Sequence, residues 1–167
     1  MIRLQMLLDS WKTVRKDTAQ SVDDMPGGEL EYQPLPDMMS FGEIARHILN
    51  AGHGLSGLLL AGIENFQVPQ FRELMMQHGS GLPENADAAA LAEALRESVD
   101  SRCAELAQQP DEFFSRIITR FDGQQVTRLE VLQMIKEHEL AHRSQMFMFL
   151  RMKGIVPATT RRRQAKK

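Results

Sequence analysis

An all-α, antiparallel four-helix bundle is the fold that this 167-residue chain predicts, and three observations carry that expectation. Apolar residues recur at three- and four-residue steps through four long segments, the mark of amphipathic helices. No alternating strand–helix pattern and no repeat period runs along the chain. Length and composition, 43% hydrophobic and 25% charged, suit one domain able to bury a real core.

The first helix is expected from about Ile2 to Met25, with Leu4, Leu7, Leu8, Trp11, Val14, Thr18 and Val22 on its inward stripe; Pro26, Gly27 and Gly28 stop it. After a turn-rich loop, Ser40 and Glu43 form a capping-box pattern that starts the second helix, which runs to about Gly62. Gly52, Gly54 and Gly57 lower its helix propensity but allow close packing. Residues 64–85 then form a long connection between helices two and three, with a short helix expected at Phe71–Gln77; connections of this length are often functional.

The third helix spans about Asp87 to Gln108, with Leu91, Leu95, Val99, Cys103 and Leu106 inward, and Pro110 ends it. "FFSRIITRFDGQQV" has bulky and β-branched residues around Asp122-Gly123, so a short excursion, a small hairpin, is expected before helix four. The fourth helix opens at a second capping box, Thr127 with Glu130, and closes at Lys153 before Gly154.

One domain over residues 1–156 is expected, followed by a basic tail, 157–167, read as a disordered solubilising end. Formal net charge is −2, but Arg161, Arg162, Arg163, Lys166 and Lys167 crowd the last seven positions; without them the body holds 15 basic against 22 acidic residues, about −7. That balance argues against a nucleic-acid surface. Cys103 is the lone cysteine, so no intramolecular disulfide framework exists, and its place on the inward stripe makes it a small core residue. Arg3, Gln5 and Asp9 interrupt the apolar N-terminus, which does not read as a signal peptide, and no run reaches membrane-spanning length. These points lead to a cytoplasmic expectation.

Chemistry concentrates in "MIKEHELAHRSQMFMFLRMKG", Met134 to Gly154. His138 and His142, four apart, stack on one helix face at roughly 5–6 Å between Cβ atoms. Their stripe also carries Val131, Ile135, Gln145 and Phe149, while Glu137, Glu139 and Arg143 turn away. On helix two, His47 borders the apolar arc formed by Phe41, Ile44, Ile48, Leu55 and Leu59. If helices two and four are neighbours, His47, His138 and His142 converge, and three neutral imidazoles suit Zn²⁺, Ni²⁺ or Fe²⁺ with coordination positions left open. Spacing alone fits three hydrogen-bonded core histidines equally well. His53 and His78 fall off this face and are expected at the surface, and no catalytic base is evident. Asn50 and Gln145 stand where they could orient a ligand or substrate.

"SFGEIARHI" early, followed late by "HELAHRSQMFMFLRMKG", resembles the DinB/YfiT-like superfamily of metalloproteins, the damage-inducible proteins rather than the DNA polymerase of similar name. The resemblance spans nearly the whole chain in order, although Ser144 stands where members often carry glycine. It implies a divalent metal on His47, His138 and His142, a homodimer, and chemistry of a thiol transferase, isomerase or hydrolase acting on a small substrate with a low-molecular-weight thiol or water. A non-catalytic metal-binding stress or scaffold protein is the other reading. Gly52 and Gly57, on the back of helix two, are expected to serve the dimer.

Overall fold

The computed structural model describes residues 3–166. Four long helices form the bundle: α1 (Leu4–Asp24), α2 (Phe41–Leu60), α4 (Ala88–Ala107) and α6 (Arg128–Met152). Shorter elements join them, namely α3 (Phe71–Gln77), α5 (Asp111–Ser115), the strands β1 (Ile117–Thr119) and β2 (Gln125–Thr127), and a terminal α7 (Ala158–Gln164). The expected start of the first helix at Ile2 lies outside the described residues.

The ends of the helices follow from local chemistry. Ser40 and Thr127 each accept a hydrogen bond from the backbone N–H of the glutamate three residues on, at 3.2 Å, and each of those glutamates accepts from the cap's own N–H at 2.6 Å. Asp87 caps α4 by accepting from the Ala90 N–H at 2.8 Å. Gly154, at φ +76°, turns the chain out of α6 while the Ile155 N–H returns to the Leu150 carbonyl.

Arrangement is less simple than a chain of neighbouring hairpins. α1 packs on α4 and α6, and α2 packs on the same two, so α1 and α2 occupy opposite corners. Two apolar clusters fill the two ends. One joins Leu7, Leu8 and Trp11 with Leu58, Leu59, Cys103, Leu106 and Leu132; the other joins Val22 with Phe41, Ile44, Leu91, Leu95 and Phe149. Each helix's order through these clusters gives its direction: α1 and α6 run one way, α2 and α4 the other. Because α2 and α4 are parallel, the connection between them must travel the length of the bundle.

That connection is held at two points. The hairpin meets it where the Phe66 N–H donates to the Thr119 carbonyl and the Thr119 N–H to the Glu64 carbonyl, both at 2.8 Å. Further on, α3 and His78 sit against the small residues of α2. A Cβ on Gly54 would lie 2.8 Å from Met75 Cε, and one on Gly57 would lie 2.8 Å from His78 Cβ. Gly52 instead makes room for Arg15, whose Nη2 would be 2.7 Å from an added Cβ. The glycines are therefore occupied within the chain, and they give the expected dimer no open face.

The hairpin turn is where Asp122-Gly123 predicts it, with Gly123 at φ +84°. The tail departs from expectation. Instead of a disordered run, residues 158–164 form α7, and its cations answer the acidic end of α1. Arg161 binds the Asp24 carboxylate at 2.8 Å and Arg162 binds Asp17 at 2.6 Å. Asp17 is nearly buried, so it needs such partners, and Arg143 on α6 supplies another at 3.5 Å. Among the described residues no helix is long and apolar enough to cross a membrane.

Candidate metal centre

α2 and α6 are packed neighbours, and the three expected histidines meet on the seam between them. His47 Nε2 and His138 Nε2 lie 2.8 Å apart, and one ligand nitrogen from each of His47, His138 and His142 falls within 4.8 Å of the others. Ring centroids are separated by 4.5–4.9 Å with the rings edge to face. Two nitrogens bound tetrahedrally at about 2.0–2.1 Å from zinc stand roughly 3.4 Å apart. That spacing lies between the closest and widest separations here, so small ring rotations would satisfy one ion.

Protonation favours ligation. Burial first, then the His142 charge, lowers the pKa of His47; His138 is lowered by burial, then by His142 and His47, with Glu139 opposing. Both imidazoles are thus neutral at neutral pH, as metal ligation requires. His142 has its orientation set from outside: its Nδ1 lies 2.9 Å from Gln145 Oε1. That contact engages Nδ1 and leaves Nε2 as the ring nitrogen available to an ion.

Asn50 has a different place. With His47 it lines a cleft of about 610 Å³ between α2 and the α3 segment, walled also by Arg72, Met75, Met76 and Ser80. Ser80 Oγ donates to Asn50 Oδ1 at 2.8 Å, tying the far wall to α2. Sequence reading missed Arg72, Met75, Met76 and Ser80. Their one signal is that they lie in the long connection, whose path along α2 no periodicity reveals.

Glu139 is the clearest correction. It does turn from the histidine face, yet toward the interior rather than solvent, and is 2% exposed. There it accepts hydrogen bonds from Trp11 Nε1 at 2.9 Å, Arg15 Nε at 2.7 Å and Thr18 Oγ1 at 2.9 Å. Arg15, 1% exposed, also donates to Ser98 Oγ and the Leu95 carbonyl. The apolar arc of α6 is consequently rotated by roughly 50° from the expected stripe, and His138 and His142 border the core instead of pointing into it. Being at the border leaves them open to a ligand. His53 and His78 stay apart from the trio. His53 is half-buried rather than at the surface, with its Nδ1 lacking a hydrogen-bond partner, and His78 is half-buried against Gly57.

Three convergent imidazoles, with no carboxylate in the set and a cleft alongside, could hold a metal ion and would leave coordination positions open. The DinB superfamily profile matches residues 10–146, most of the chain. The chain belongs to the DinB superfamily. A search of curated proteins returned no significant match.

Solved structures place this DinB chain among similar bundles. The DinB-like protein YjoA of Bacillus subtilis is 23% identical with a TM-score of 0.69, covering 89% of this chain and 92% of its own. YfiT of Bacillus subtilis, described as a probable metal-dependent hydrolase with an unusual four-helix bundle topology, is 17% identical with a TM-score of 0.72, covering 93% and 91%. A mycothiol-dependent maleylpyruvate isomerase is 16% identical with a TM-score of 0.64 over 87% of this chain, which spans 61% of that longer protein. At these identities the likeness is one of fold.

Proposed function

We propose that this protein is a metal-dependent enzyme in which His47, His138 and His142 hold one divalent ion, zinc, nickel or iron, and the adjoining cleft brings a small substrate to a low-molecular-weight thiol or water. The observation that carries the reading is the meeting of three imidazoles, from helices 91 residues apart in sequence at His47 and His138, beside a cleft. When bound, the ion supplies Lewis acidity, enough to generate a thiolate or hydroxide nucleophile near neutral pH. Gln145 fixes which nitrogen of His142 faces the ion, and Asn50 with Ser80 presents polar groups to the substrate. A mycothiol-dependent isomerase and a probable hydrolase among the similar folds support chemistry of this kind.

Metal analysis of the purified chain, joined to a transfer screen pairing monochlorobimane with several cellular thiols, tests the reading. One ion per chain and turnover with one thiol class are expected. Absence of any divalent metal at neutral pH overturns it, and metal without turnover favours the non-catalytic alternative. Association as a homodimer belongs to the same proposal and rests on resemblance alone; sedimentation as a monomer across micromolar concentrations removes it.

A further inference from the structure

The cleft beside His47 is electrically one-sided. Of the residues that line it, Arg72 is its one full charge that does not depend on a histidine, and no carboxylate faces it. Other arginines near this wall are engaged: Arg46 donates to the Pro83 and Ala86 carbonyls, and Arg102 to Glu105 and the His53 carbonyl. Arg72 forms no ion pair among the described residues. Around it the wall is apolar and soft, because Met75 and Met76 are flexible thioethers suited to irregular organic bodies. The other polar side chains of the lining, besides His47, are Asn50 on α2 and Ser80 on the connection, bonded to each other.

We propose that Arg72 is the charge-recognition residue of this cleft and that its ligand is a small organic carboxylate whose apolar body rests on Met75 and Met76. The inference rests on the metal-site reading only for the direction in which the ligand's reactive end points. A guanidinium is a planar fork that binds a carboxylate through two parallel hydrogen bonds, which a lysine ammonium does not reproduce. Arg72 is on α3, which has no buried residue, so its substitution leaves the bundle core untouched. The carboxylate can belong to the thiol or to its acceptor, and two pairs of probes separate these sources.

Isothermal titration of the zinc-loaded full chain compares 3-mercaptopropionate with 2-mercaptoethanol, and 4-chloro-3-nitrobenzoate with 1-chloro-2,4-dinitrobenzene. In at least one pair the anionic probe is expected to bind about fivefold more tightly, with the margin shrinking at high salt. R72Q should erase that preference and R72K should restore only part of it, with zinc content unchanged in both. An anionic preference absent from both pairs, or intact in R72Q, overturns the proposal. A chain that takes up no zinc refutes the metal reading instead, and the nitrobenzoate pair still reads Arg72 on the metal-free protein.

Discussion

At the scale of single residues, the five histidines sort into two groups with separate consequences. Replacing His47, His138 or His142 by alanine removes one ligand of three and should weaken divalent-metal affinity by orders of magnitude, whereas His53→Ala and His78→Ala should leave it nearly unchanged. Competition titration against a chromophoric chelator reads the difference, and equal losses at all five positions would refute the assignment. His53 has its own signature. Burial, followed by the charge of Arg102, pushes its pKa from 6.5 down to about 4. The folded state thus resists protonating it where the unfolded chain does not, so its contribution is intact above pH 6.5 and declines as pH falls toward 4. Urea midpoints of His53→Gln should fall less steeply over that window than those of the unmodified chain; parallel curves would deny it. Glu139 supports three donors while buried, and Glu139→Leu would leave the Arg15 guanidinium charged and unpaired. A loss of about 3–5 kcal/mol is expected, largely recovered in Arg15→Met/Glu139→Leu.

At the scale of elements, the legible parts were those governed by local rules. Ser40 with Glu43, Thr127 with Glu130 and Asp122-Gly123 are short-range signals, and the helices and hairpin begin and turn where they stand. The long helices were equally readable from their periodicity. What local rules miss is pairing at a distance. Glu139 looked solvent-facing because its partners Trp11, Arg15 and Thr18 lie more than a hundred residues away, and one inward glutamate was enough to misplace the arc of α6. The basic tail was likewise read without the acidic end of α1 that receives it. The small residues of α2 give a sharper prediction. An added methyl at Gly54 meets the free end of the Met75 side chain at 2.8 Å, which can swing aside, and the Met75 carbonyl at 3.2 Å, which needs a shift of a few tenths of an ångström; at Gly52 it meets, at 2.7 Å, a guanidinium pinned by Glu139, Ser98 and the Leu95 carbonyl. Gly52→Ala should therefore lower the unfolding free energy clearly more than Gly54→Ala, and the reverse order in chemical denaturation would contradict the packing.

At the scale of the whole molecule, the proposed ion between α2 and α6 would link two helices distant in sequence and bind the folded state alone. At a free metal concentration about a thousandfold above the dissociation constant, it should add about 4 kcal/mol, roughly 8–16 °C in melting temperature for a chain of this size. Chelation should reverse the shift, and melting indifferent to metal would exclude an ion at this seam. The up-down-down-up course of the bundle escaped sequence reading, since periodicity gives each helix a face but not a corner.

That course separates two tasks along the chain. The imidazoles ride on helices anchored in both apolar clusters, while the opposite wall of the cleft, 71–81, belongs to a connection that rests on the bundle through the partly buried Phe71, Leu74 and Met75. None of the residues of α3 is buried. On the proposed reading, reactivity and choice of substrate would be written in different stretches, and the second could diverge while the first stood still. Libraries confined to the exposed cleft residues Arg72 and Met76 should alter which molecules are accepted at little cost in melting temperature, so a fold of this design could acquire new substrates without being rebuilt.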